Sequence, residues 1–87
     1  MKSHTFAGKR FATDVESTIG GYCERQGIIL EPELYVAANL TGLQHLTVAV
    51  HESIHACFDA ATEEQVTEAG KDIARFLWRL GYRRVDR

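Results

Sequence analysis

The residues best suited to chemistry stand together in Val48-Ala49-Val50-His51-Glu52-Ser53-Ile54-His55-Ala56-Cys57, which contains His-Glu-x-x-His. On an α-helix, residues four apart lie on one face, one turn above the other. His51 and His55 can therefore offer two imidazole nitrogens to one metal ion. Glu52 is rotated by about 100° from His51, since a helix turns once in 3.6 residues. That offset lets its carboxylate reach a metal-bound water without occupying the metal. The expected chemistry is two histidine ligands, a third protein ligand, and a water activated jointly by Zn²⁺ and Glu52.

The competing reading is a pair of hydrogen-bonded core histidines beside a surface glutamate. Context weighs against it. Leu46, Val48, Ala49 and Val50 precede the motif, and Ile54, Ala56 and Cys57 lie within or after it, so the helix is expected to be buried. Polar side chains on such a helix are costly to bury without partners.

The elements that must position the motif follow from its flanks. Thr41-Gly42-Leu43-Gln44 matches a capping box, with Thr41 as N-cap and Gln44 at N3, and starts a helix predicted over about Gly42 to Cys57. Leu43, Leu46, Val50, Ile54 and Cys57 form its predicted core stripe. Gln44, Val48, His51, His55 and Phe58 lie on the neighbouring face, at the edge of a groove. Phe58-Asp59-Ala60-Ala61 is a short connection. Thr62-Glu63-Glu64-Gln65 is a second capping box, opening a helix predicted from about Glu63 to Leu80 and stopped by Gly81. Its predicted apolar face is Val66, Ala69, Ile73, Phe76, Leu77 and Leu80. So short a loop forces an antiparallel helical hairpin and brings the start of the second helix close to His55.

That placement narrows the third ligand. Asp59, Glu63, Glu64, Glu68 and Asp72 are the nearby acids. Glu63 shares a side with Val66 and Gly70, whereas Glu64 and Glu68 point largely the other way. Glu63 ranks first, then Asp59 and Glu64. Acids in a first helical turn also favour the helix dipole, whatever else they do.

Upstream, residues 4 to 15 read as extended, with Phe11, Thr13 and Val15 alternating and a weak hairpin turn at Gly8-Lys9. Glu16 to Gly27 reads as a polar, glycine-punctuated loop in which Tyr22 and Cys23 can anchor to the core. Ile28-Ile29-Leu30 and Leu34-Tyr35-Val36 are short strand-forming runs. Pro32 between them has no N–H to donate, so an edge strand or a break is expected there. Such an edge can accept an extended peptide by strand addition. The predicted architecture is α+β: a small N-terminal antiparallel sheet packed on a two-helix hairpin. It forms a single domain over residues 1–87, with strands and loops in 1–40, the His-Glu-x-x-His helix in 41–57 and the second helix in 62–81.

Composition agrees with a small globular domain: 45% hydrophobic and 25% charged residues over 87 positions. A core this small gains from a bound metal. The net charge of −2 gives no general attraction to nucleic acid or anionic membrane, so neither is an expected partner. No apolar run approaches the ~20 residues of a membrane span, and the first residues lack a signal-peptide stretch, so a cytoplasmic location is expected. Cys23 and Cys57 belong to no Cys-x-x-Cys pair and are expected to be free, buried thiols. Arg75, Arg79, Arg83, Arg84 and Arg87 read as a solvated helix face, with a docking surface for an acidic partner as the alternative. Trp78 and Tyr82 should pack over the domain's end. His4 and His45 read as surface or structural.

With these residues in place, the chain resembles a minimal zincin. His51-Glu52-Ser53-Ile54-His55, followed by Glu63 and an apolar second helix, resembles the gluzincin arrangement, in which two histidines come from one helix and a glutamate from the next. The layout is similar to the small phage and bacterial zinc-peptidase domains, including the ImmA/IrrE-like group and the minigluzincins. The run Asp72 to Arg83 also resembles short phage-encoded proteins of this type. The likeness is specific at residues 48–58 and covers about half the chain. The spacing to the third ligand is shorter than in many gluzincins, so Asp59 and Glu64 stay open beside Glu63. The resemblance implies a zinc metallopeptidase in which His51, His55 and Glu63 bind Zn²⁺. Glu52 would be the general base for water attacking a peptide carbonyl of a protein or peptide substrate. The competing class is a non-catalytic domain, zinc-stabilised or metal-free, that engages other proteins. Few loops are available to build a substrate pocket, which favours that class; an intact Glu52 favours the peptidase.

Overall fold

The computed structural model describes residues 3–13, 21–23, 32–37 and 39–85. Strands β1 (Ser3–Phe6) and β2 (Lys9–Ala12) form an antiparallel hairpin in which Ser3 faces Ala12 and Phe6 faces Lys9. Strands β3 (Gly21–Cys23) and β4 (Leu34–Val36) form a second antiparallel pair, with Tyr22 opposite Tyr35. Helices α1 (Gly42–Cys57) and α2 (Glu63–Arg79) follow and pack against each other. This is the expected α+β arrangement of small antiparallel sheet and helical hairpin.

Several local expectations shift. The hairpin turn is Ala7-Gly8 rather than Gly8-Lys9; both residues have positive φ (50° and 80°), the signature of the primed turns whose twist matches paired strands. Gly21–Cys23, expected within a loop, is a strand because β4 supplies a hydrogen-bonding partner that local composition cannot reveal. Pro32 lies just before β4 and outside any strand. Its carbonyl accepts a hydrogen bond from the Ala12 amide at 2.8 Å, and a parallel bridge joins Ala12 to Glu33, tying the two sheets together. Residues 14–20 and 24–31, which include Val15 and the Ile28-Ile29-Leu30 run, lie outside the described residues, as do Arg87 and the side chains of Tyr22 and Cys23.

The core is a small cluster of Phe11, Leu34 and Ala56, with Phe6 packed edge-on against Phe11 at 5.5 Å between ring centroids. Ala56 thus turns one face of α1 toward the sheets. The expected α1 stripe of Leu43, Leu46, Val50, Ile54 and Cys57 is only half-buried, and the buried α1 residues are Glu52 and Ala56. Two short strand pairs offer too narrow a surface to cover the whole apolar arc of a 16-residue helix. Cys57 carries a free thiol and is half-buried, not fully buried.

Helix α2 departs from expectation in the same sense. Its buried residues are Val66, Gly70 and Ala74, while Ile73, Phe76 and Leu80, expected in the core, are exposed. Small side chains allow the helix axes to approach, so the small-residue side faces inward and part of the large-residue side is left in solvent.

The two helix starts also differ. At α2 the capping box forms as expected: the Thr62 hydroxyl accepts from the Gln65 amide at 3.1 Å, and the Thr62 amide donates to Gln65 Oε1 at 2.9 Å. At α1 Thr41 is the N-cap with an extended backbone, but its side chain makes no capping hydrogen bond. Gly42 follows at φ 60°, so the chain enters α1 through a left-handed residue, and the right-handed first turn that a capping box needs is absent. At this same end of the hairpin, Arg83 lies over the Trp78 ring at 3.4 Å from its centroid and donates to the carbonyls of Trp78 and Tyr82. Arg84 contacts His45 at 3.2 Å. Arg83 and Arg84 therefore lie beyond the helix and fold back on the domain's end, and are not part of a solvated helix face. Trp78 is half-buried there, but Tyr82 remains exposed.

Candidate metal centre

His51 and His55 sit one turn apart on α1, their rings 4.9 Å apart between centroids and inclined at 64°. The hairpin loop and the capping box at Thr62 fix Glu63 as the first residue of α2. From there its carboxylate spans both histidines: Oε1 lies 2.7 Å from His55 Nε2, and Oε2 lies 3.3 Å from His51 Nε2. The carboxylate also stands at the positive end of the α2 dipole, where negative charge is favoured.

Ligand atoms of His51, His55 and Glu63 all lie within 4.8 Å of one another, so the three can hold a metal ion. Two imidazole nitrogens and a carboxylate oxygen are a donor set suited to a first-row divalent ion. In tetrahedral coordination with bonds of about 2.0–2.1 Å, neighbouring ligand atoms stand roughly 3.3–3.4 Å apart. The two contacts use different oxygens of Glu63, Oε2 toward His51 and Oε1 toward His55, so the carboxylate lies within reach of both imidazoles that would share an ion with it. Asp59 and Glu64 are not part of this group.

Glu52 is 8% exposed and so is not a surface glutamate. Burial pushes its carboxyl above the ordinary value, the positive potential of His51 and His55 pulls it down, and the neighbouring Glu63 carboxylate pushes it up again, leaving it raised overall. A largely buried carboxyl beside two imidazoles and a second carboxylate holds its proton more firmly than a free glutamate.

Gly70, not singled out by the motif, completes the site. A Cβ at this position would lie 3.4 Å from His51 Cα and 3.5 Å from His51 Cβ. Helix α2 therefore passes directly over the His51 backbone, and any side chain larger than methyl would force the helices apart. A glycine amid an otherwise good helix-forming segment was the available signal, since it weakens a helix without local benefit.

His4 stacks edge-on against Phe6 at 4.7 Å in the β-hairpin, a structural role. Burial first, and Arg84 second, lower the pKa of His45, which lines a cleft with Leu46, Ala49 and Trp78 at the far end of the hairpin.

No known protein family, curated protein or solved structure matches the chain. Among the described residues, no helix is long and apolar enough to cross a membrane.

Proposed function

We propose that this chain is a zinc-dependent peptidase, with His51, His55 and Glu63 as metal ligands and Glu52 as general base. The observation that carries the proposal is the convergence of the two imidazoles and the Glu63 carboxylate beside the buried carboxyl of Glu52. Zinc, the ion usual for such a donor set, would supply a Lewis acid and a water of lowered pKa. Glu52, adjacent in sequence but turned away from the ligand face, takes the proton of the attacking water and returns it to the leaving amine nitrogen. Its burial raises its affinity for the proton it would take. The likeness of residues 48–58 to zinc peptidases supports a peptide bond as the target. An extended segment adding to a strand is the substrate geometry this proposal favours. A cytoplasmic setting belongs to the same proposal.

The second reading is a non-catalytic domain, metal-free or zinc-stabilised. The 2.7 Å contact between His55 and Glu63 favours it, because that hydrogen bond closes the hairpin without any ion. Metal analysis and peptide-library cleavage, run on the wild type and Glu52→Gln, separate the two. The peptidase reading expects about one zinc per chain in both proteins. It also expects cleavage by the wild type only, with general-base loss reducing the rate about 10²–10⁴-fold. Equal cleavage by both would overturn the base assignment, and absence of zinc from both would overturn the metal.

A further inference from the structure

Three large apolar side chains along the C-terminal half of α2 remain in solvent: Ile73 at 42%, Phe76 at 61% and Leu80 at 59% exposure. Their spacing places them in one stripe on the helix. Asp72, Arg75 and Arg79 border it, and a shallow depression of about 510 Å³ is lined by these charges together with Phe76 and Leu80. Among the described residues, none of the three charged side chains has an ion-pair partner within the chain. An apolar stripe rimmed by unpaired charges of both signs marks an association surface.

We propose that this stripe joins two copies of the chain across a twofold axis, with their α2 helices antiparallel about Phe76. The order of the charges selects this occupant. Asp72 lies four residues before Phe76 and Arg79 three residues after it, which at 1.5 Å rise per residue is about 6.0 and about 4.5 Å along the axis. A second helix running the opposite way brings its Arg79 to the level of Asp72, and the twofold repeats the pair on the other side. A parallel pairing would set Asp72 against Asp72 and Arg79 against Arg79. Asp72 and Arg79 are therefore complementary in the antiparallel orientation only, while Arg75, about 1.5 Å from Phe76 along the axis, meets its own copy near the twofold and offsets part of that attraction. The low net charge of −2 leaves little overall repulsion between copies. The group formed by His51, His55 and Glu63 faces α1 at the opposite end of α2, so pairing leaves it uncovered, and the association needs no metal.

A single helix pair falls at the small end of specific interfaces, so the dimer is weak and reversible, with dissociation in the range of about 10 μM to 1 mM. Sedimentation equilibrium in the presence of chelator tests it. The wild type should pass from monomer to dimer across that range. Asp72→Arg and Arg79→Asp should each weaken association about tenfold or more, since either change converts both cross-axis attractions into repulsions. An equimolar mixture of the two variants should recover wild-type association, because the heterodimer restores both pairs, one in the original sense and one with its charges exchanged. Phe76→Glu should abolish association while leaving the circular dichroism of this exposed position's helix intact. A wild type that stays monomeric to about 1 mM, charge variants that associate as well as the wild type, or a mixture no tighter than its components would each overturn the proposal.

Discussion

Glu63 Oε1 lies 2.7 Å from His55 Nε2, across a turn of the chain that joins the last residues of α1 to the first of α2. A contact this short between an imidazole and a carboxylate serves two ends. Without a metal it is a hydrogen bond that fastens the hairpin, and an ion bound at this group would draw on the same two side chains. Any such ion would therefore be coupled to folding.

Chelation is therefore expected to lower thermal stability, since an ion that binds only the folded hairpin stabilises it by mass action, about 2.7 kcal/mol at a hundredfold excess over its dissociation constant. Melting curves with and without added zinc and chelator measure this. Coincident curves would show that the group holds no ion of consequence for the fold.

The third ligand can be assigned by substitution. Glu63→Ala should abolish stoichiometric zinc binding, whereas Asp59→Ala and Glu64→Ala should retain it. Competition against a chromogenic chelator reads all three. Retention by Glu63→Ala with loss in either of the others would transfer the ligand role to that residue.

The raised pKa of Glu52 gives the metal-free protein a pH signature. The folded state binds this proton more tightly than the unfolded state, whose value is near 4.5. The resulting stability is complete below that value and is lost as pH rises through the higher folded pKa. Urea titrations of chelated protein between about pH 4 and 7 should thus show wild-type stability falling relative to Glu52→Gln, which cannot titrate. A constant difference between the two proteins across that window would contradict a raised Glu52.

Gly70 predicts a graded response. Gly70→Ala places a methyl in ordinary contact with His51 and also gains helix propensity, so its net effect should lie within about 1 kcal/mol of neutral. Gly70→Leu should drive α2 away from His51, destabilising the fold by about 1–3 kcal/mol and weakening zinc binding together with it. Denaturant midpoints and zinc affinity, measured side by side, check both. Unimpaired zinc affinity in Gly70→Leu would show that the helix approach at this point does not position the donors.

What the sequence determined was local. The α1 span from Gly42 to Cys57 matches the expected range, and α2 ends one residue short of it. Helical period alone put His51 and His55 on one face, and a loop too short for any other path brought Glu63 beside them. The box at Thr62 formed because each of its bonds joins residues within a single turn. Tertiary structure decided the rest, because the answers depended on residues distant in the chain. The strand at Gly21–Cys23 exists through its pairing with Leu34–Val36. Thr41 fails to cap because Gly42 takes a left-handed conformation at the entry to α1. Which apolar residues of α2 are buried was set by Gly70 and Ala74 admitting close helix approach, which left Phe76 and Leu80 outside. The burial of Glu52 likewise depended on tertiary packing, since helical period alone did not decide whether its side of α1 would be covered. A heptad of letters fixes which residues share a face, but only the partner surface fixes which face is dry.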